Sequence, residues 1–362
     1  MKIALIAAAR PNFMKIAPIL RAMKDYPKLR PYLVHTGQHY DYAMSEIFFK
    51  ELGIPEPDVN LGIGSGSQAV QTAKIMIAFE GVAVQQKFDL VLVVGDVNST
   101  MACALVAAKL NIPVAHIEAG IRSFDRTMPE EINRLVTDAI SDYLFPPSDV
   151  AQTNLRREGI PDEKIFLVGN VMIDTLMMQK ELAAKTTALS EIGLQPGDYA
   201  LMTLHRPSNV DDAETLKKIL GALQPIQEQL PIIFPVHPRT RHRIEEFGLQ
   251  PDMDGMPNLR VIEPIGYLPF LNLMMHAKFV LTDSGGMQEE TTVLGVPCLT
   301  LRENTERPET VEQGTNTLVG SDPAVIRHEA AQILAGNGKR GRPPALWDGH
   351  AAERIVETLA KI

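Results

Sequence analysis

Short apolar runs rich in β-branched residues recur along the chain, at Ile3–Ala7, Tyr32–His35, Leu90–Val94, Val114–Ile117, Ile165–Val168, Leu201–Leu204, Ile232–Val236, Leu259–Ile262, Phe279–Thr282 and Cys298–Leu301. Segments with helical spacing lie between them. Strands that read as continuous apolar runs are covered on both faces, so the pattern predicts an α/β architecture with parallel sheets. Between the first two runs, Phe13, Ile16, Ala17, Leu20 and Met23 share one helical face, Pro11 sits near the first helical position, and Pro18 should bend the helix. The stretch "TLMMQKELAAKTTALSEIGLQPGDY" has helical periodicity and ends at a Pro-Gly turn, after which the alternation restarts at Tyr199. A domain boundary therefore falls inside it. The closing segment "ALWDGHAAERIVETLAKI" predicts a terminal amphipathic helix with Ala351, Ile355, Leu359 and Ile362 on one stripe.

With 362 residues, 45% of them hydrophobic, the chain has enough apolar material for two cores. The net charge of -9 and the scattering of its 35 Lys and Arg argue against a nucleic-acid footprint, while leaving room for a local basic pocket that binds one phosphorylated small molecule. The two cysteines, Cys103 and Cys298, lie in apolar runs and read as reduced core thiols. The opening "MKIALIAAARPNF" is interrupted by Arg10 and Pro11 too soon for a secretory signal, and no run approaches the ~18 apolar residues of a membrane span. The expectation is a cytoplasmic protein with no membrane partner.

In open parallel sheets, ligands bind beyond the carboxyl ends of the strands, where loops gather and helix N-termini present free N–H groups. Arg10 follows the first run, Gln38 and His39 the second, Asp96 the third and Glu118 the fourth; in the second half come His205 and Arg206, then His237 and Arg239, then Ser284, Gly285 and Gly286. That distribution suits a cleft between two domains. Plain structural readings stand beside the chemical ones. Asp96 reads equally as the cap of a helix starting near Ser99, Glu118 as an ion-pair partner of Arg122, and Glu130 and Glu131 as acids complementing a helix dipole. His276 reads as structural. "TDSGGMQEETTVLGVP" is the most informative stretch, because a serine and two glycines between a strand and a helix let backbone N–H groups approach a phosphate, with Glu290 one to two turns further on, placed to accept hydrogen bonds from ribose hydroxyls. "GIGSGS" at 62–67 follows no strand and reads as a loop. No dinucleotide fingerprint follows the first strand, and no His/Asp cluster has metal-ligand spacing, so neither a cofactor nor a metal is expected.

The motifs "ARPNFMKIAP", "GQH", "GDVNST", "HIEAGIRS", "MPEEINR", "LHRPSN", "VHPR", "DSGGMQEE" and "TERPE" occur in this order over most of the chain. Together they resemble the UDP-N-acetylglucosamine 2-epimerase family, in its non-hydrolysing form. The resemblance implies a GT-B fold: two Rossmann-like doubly wound domains, expected at 1–175 and 176–345, a closing helix at 346–362 packing back on the first, and an active site in the cleft between them. It places acid/base groups on Asp96, Glu118, Glu130 and His205. Substrate contacts fall on Arg10, His205, Phe270, Ser284, Gly285, Gly286 and Glu290, with Lys15, Arg134, His237 and Arg307 as further pocket residues. A UDP-sugar substrate, a homodimer and no cofactor are implied as well. Ala8 and Ala9 stand where the family has Gly-Thr, and Val97 where it has threonine. Tyr40 replaces the arginine of members regulated by a second substrate molecule, which leaves Gln38, His39, Gln68 and Gln71 as candidates to line a regulatory pocket.

The chemistry calls for several acids. The C2 proton of a glycosyl nucleotide has no adjacent carbonyl, so UDP must leave first, and the oxocarbenium-like centre at C1 then acidifies C2. A carboxylate removes the proton to give 2-acetamidoglucal; re-addition of UDP with protonation from the opposite face gives the manno product. Rivals are a hydrolysing epimerase, a 2-epimerase of a modified sugar such as a diacetamido uronic acid, a GT-B glycosyltransferase, and a non-catalytic sugar-nucleotide sensor.

Overall fold

The computed structural model describes residues 1–8, 10–37 and 53–362. It divides into two compact units, residues 1–175 with 345–362, and residues 176–344. Among the described residues the first unit holds β1 (Lys2–Ala7), β2 (Arg30–His35), β3 (Val59–Asn60), β4 (Leu90–Val94), β5 (Val114–Ile117) and β6 (Tyr143–Phe145) in one parallel sheet ordered β3-β2-β1-β4-β5-β6. The second holds β7 (Ala200–Met202), β8 (Ile232–Pro235), β9 (Leu259–Ile262), β10 (Phe279–Thr282), β11 (Cys298–Thr300) and β12 (Asn316–Leu318), ordered β12-β11-β10-β7-β8-β9 and again parallel. Counted from the start of each unit, both orders are 3-2-1-4-5-6, the doubly wound arrangement. The α/β reading holds, and two Rossmann-like domains in one chain are what the GT-B class denotes.

The central strands follow from composition. Every residue of β4, β5, β8 and β10 is buried, because the crossover helices of parallel strands cover both faces. Two expectations need correcting. Ile165–Val168 is not a strand: it makes a single bridge, Leu144 to Ile165, since β6 runs straight into Pro146 and Pro147, which have no N–H to continue a ladder. Ile362 is 54% exposed, because the last helix ends at Leu359; Ala351, Ile355 and Leu359 are buried as the stripe requires.

The first helix, Arg10–Met23, continues through Pro18. Proline at that position cannot donate to the carbonyl four residues back, and the freed carbonyl of Met14 instead accepts from Thr175 Oγ1 at 2.5 Å. The closing helix, Ala351–Leu359, packs on this first helix. Its two leading N–H groups, of Ala351 and Ala352, donate to the Asp174 carboxylate at 3.1 and 2.6 Å. Among the described residues, no helix is long and apolar enough to cross a membrane.

Candidate active site

In the first unit the strand order reverses between β1 and β4, where a doubly wound sheet opens toward ligands. Val94 pairs with Ile117 at the last rung of β4 and β5, so Gly95 and Glu118 leave the sheet side by side. Both turn left-handed, at φ +73° and +67°. For glutamate that conformation costs roughly 1–2 kcal/mol. Glu118 is only 5% exposed; one carboxylate oxygen meets Lys15 Nζ at 2.5 Å, and the other, Oε1, has no hydrogen-bond partner among the described residues. A Cβ added at Gly95 would lie 3.2 Å from that ammonium and 3.5 Å from that carboxylate. The ion pair thus sits over the residue before Asp96.

Asp96 is part-exposed, and its Oδ2 accepts from Arg134 Nε and Nη2 at 3.1 and 2.6 Å. The N-cap of the helix Asn98–Lys109 is Val97, so Asp96 stands one residue before the cap position. Arg122 pairs with Asp138 and Glu158 rather than Glu118. In the helix Pro129–Ile140, the two leading acids divide. Glu131 is buried and accepts from Ser123 N, Ser123 Oγ, Phe124 N and Arg134 Nη1, which shapes the loop before the helix. Glu130 is part-exposed and makes no hydrogen bond or ion pair with the described residues. Arg10 opens the first helix, and only its backbone is described.

Behind these loops lies a buried network. His116 places Nδ1 2.6 Å from Asp138 Oδ1 and Nε2 2.9 Å from the Gly95 carbonyl, while Asp138 Oδ2 accepts from Gly120 N at 3.0 Å and Arg122 Nη2 at 2.7 Å. One carboxylate therefore ties the backbone just before Asp96 to the backbone just after Glu118. Of the regulatory candidates, Gln38 and His39 lie outside the described residues. Gln68 and Gln71 both accept from Asn98 Nδ2, at 2.6 and 2.8 Å; Asn133 Nδ2 in turn donates to Asn98 Oδ1 and to the Asp96 carbonyl.

The second unit repeats the scheme, with the reversal between β7 and β10. Met202 pairs with Leu281, and two and three residues on stand Asp283 and His205. The His205 Nδ1 lies 2.8 Å from Asp283 Oδ1. His237 caps the helix Pro238–Glu246: its Nδ1 accepts from Arg239 N at 3.2 Å, and its ring is tilted 5.9 Å from that of His205. Partial desolvation, His205 and Arg239 all hold its pKa below the usual histidine value, as an accepting Nδ1 requires. His276 has Nδ1 2.8 Å from the Asn272 carbonyl, a helix-face contact.

Ser284 stands at the N-cap of the helix Gly285–Leu294 without a side-chain cap, leaving the first-turn N–H groups open to an anion. A Cβ at Gly286 would meet nothing within 4 Å, and one at Gly285 would reach the Arg307 guanidinium at 4.0 Å. Arg307 is held by Glu289, with Nε to Oε1 at 2.6 Å. Glu290 is buried, and Tyr267 Oη donates to its Oε1 at 2.8 Å; Phe270 lies on the same helix as Tyr267. Burial pushes the Glu290 carboxyl up to about 7, the Tyr267 hydrogen bond lowers it, and Glu289 adds to the rise. The motif reading gives no role to Asp283, Tyr267, His116 and Asp138, although Asp283 and His116 open two of the quoted motifs.

The family model described as UDP-N-acetylglucosamine 2-epimerase matches residues 21–360. The chain is 47% identical over 364 residues to UDP-N-acetylglucosamine 2-epimerase of Methanocaldococcus jannaschii, with 99% of each chain covered. It is 44% identical over 366 residues to UDP-2,3-diacetamido-2,3-dideoxy-D-glucuronate 2-epimerase of Pseudomonas aeruginosa, with both chains fully covered. It is also similar to the crystal structure of the Methanocaldococcus jannaschii UDP-GlcNAc 2-epimerase in complex with UDP-GlcNAc and UDP, at a TM-score of 0.91 and 46% identity over 100% of both chains. Matches of this extent and identity leave one conclusion: the chain belongs to the UDP-N-acetylglucosamine 2-epimerase family.

Proposed function

We propose that the protein interconverts UDP-N-acetylglucosamine and UDP-N-acetylmannosamine without a cofactor, by eliminating UDP to 2-acetamidoglucal and adding it back. The observation that carries this reading is Glu118, a buried carboxylate in a strained backbone position with one oxygen unpartnered among the described residues. Glu118 takes the C2 proton on one face, and Asp96 and Glu130 supply and tune the proton delivered to the other. His205, the fourth acid/base group, exchanges its proton with the substrate through Nε2. Arg10 and the open helix N-terminus at Ser284, Gly285 and Gly286 stabilise the departing diphosphate, as preorganised donors do where charge develops. Lys15, Arg134, His237, Phe270 and Arg307 are further substrate contacts, and Glu290 accepts from the ribose.

The test is proton NMR of the enzyme with UDP-N-acetylglucosamine in deuterated water. Deuterium at C2 together with UDP-N-acetylmannosamine is expected. Free N-acetylmannosamine with UDP would make the enzyme hydrolysing. Absence of exchange despite tight UDP binding would overturn the substrate assignment, and the diacetamido uronate of the Pseudomonas relative would be offered next.

Glu290 adds a pH prediction. Ribose hydroxyls donate to the ionised carboxylate, so UDP affinity should fall as pH drops through about 7, where Glu290 takes up a proton. The limiting slope approaches about tenfold per pH unit. Tyr267→Phe removes a hydrogen bond that favours the ionised form and should move the midpoint upward. Calorimetric titration of UDP across that range reads both effects, and identical profiles for the two proteins would refute the role of Tyr267.

A further inference from the structure

We infer that Asp283 is a positioning residue for the reaction, holding His205 in the tautomer that carries its proton on Nδ1 and leaves Nε2 free for the substrate. The inference rests on the proposed role of His205.

Four contacts converge on this carboxylate. Asp283 is fully buried at the end of β10, and its Oδ2 accepts from the backbone N–H groups of His205 and Arg206 at 2.9 and 2.7 Å and from Asn209 Nδ2 at 3.3 Å. These bonds fix the backbone that carries His205. The other oxygen, Oδ1, is buried and makes no aligned hydrogen bond with the described residues, and the His205 Nδ1 lies 2.8 Å from it. An orphaned buried carboxylate oxygen is costly, on the order of 1–3 kcal/mol, so the arrangement favours a proton on the facing nitrogen. Small rotation of the ring completes the bond, as catalytic hydrogen bonds commonly tighten when substrate arrives. The His205 side chain is 41% exposed, whereas Asp283 is sealed beneath it. Only the histidine can touch a ligand; the aspartate acts through it. Burial raises the Asp283 carboxyl pKa, and His205 with the backbone donors of Arg206 and His205 more than reverses that rise, so the group stays ionised.

The asparagine variant separates orientation from simple support. Asp283→Asn keeps an oxygen for the two backbone N–H groups but turns an NH₂ toward Nδ1, which must then accept and sends the ring proton to Nε2. A wrong tautomer in such a pair removes most of its catalysis, so kcat should fall by about 10²- to 10⁴-fold with KM little changed. Nitrogen-15 NMR of histidine-labelled enzyme at about pH 8.5, above the ordinary imidazole range, reads the tautomer directly, with the His205 signal assigned from His205→Asn. Wild type should show the proton on Nδ1 and Asp283→Asn on Nε2. A wild-type proton on Nε2 would overturn the inference even if the variant did not fold. So would wild-type kcat in Asp283→Asn while His205→Asn is inactive. Full activity in His205→Asn, or no C2 exchange by wild type at all, would instead strike the proposed function itself.

Discussion

Glu118→Gln is expected to slow C2 epimerisation and C2 deuterium exchange by about 10²- to 10⁴-fold, the worth of one well-placed proton-transfer group. The amide matches the carboxylate in shape, so the left-handed turn and the contact with Lys15 can persist, but it cannot accept a proton at C2. In the proposed function UDP is held chiefly by the second unit's helix N-terminus and Arg307 together with Arg10, and not by Glu118, so UDP affinity should stay within about threefold of wild type, a change worth less than about 0.7 kcal/mol. Glu118 is singled out because the other acids are differently placed. Asp96 is held by Arg134, and Glu130 is part-exposed with no partner among the described residues, whereas Glu118 Oε1 is buried with no hydrogen bond from them. Rate and exchange measured on the purified variant decide the matter. Exchange at the wild-type rate would transfer the proton-removing role to Glu130 or Asp96.

What could be read from the sequence follows physical lines. Strands buried on both faces, such as β4 with "LVLVV", announce themselves as apolar runs. The two- and three-residue strands β3, β6 and β12 do not, since their few residues carry no periodicity and their place is fixed by the neighbour they pair with. Candidate site residues just past a strand end are legible, because the parallel sheet gathers its strand ends at one edge. Their supports were not. Asp283 lies 78 residues from His205, and Asp138 lies 22 from His116. Nothing local in "TDSGG" or "VTDAI" says which donors a carboxylate will find once the sheet has formed. Glu130 and Glu131 make the same point within one dipeptide: both suit a helix start, and only the folded loop shows that Glu131 is consumed by Ser123, Phe124 and Arg134.

Asp138→Asn should lower the stability of the first unit by about 3 kcal/mol, the low end for breaking a buried ion pair by removing one partner. For a unit of this size that is a drop of roughly 10 °C in melting temperature. The carboxylate faces His116, Arg122 and the Gly120 N–H, and Arg122 would keep only the more exposed Glu158. Burial raises the Asp138 carboxyl pKa, but His116, Arg122 and Gly120 outweigh it and hold the group below its usual value of 3.8. A carboxyl with a depressed folded pKa contributes stability that is complete above the unfolded pKa and is lost as pH falls through the folded one. The melting-temperature gap between wild type and variant should therefore be widest near neutral pH and narrow below about pH 4. Because the network joins Gly95 to Gly120, the folded variant should also lose kcat more than UDP affinity, as Asp96 and Glu118 lose their common anchor. A gap that is the same at pH 3 and pH 7 would mean that shape, and not the charge of Asp138, holds these two loops in place.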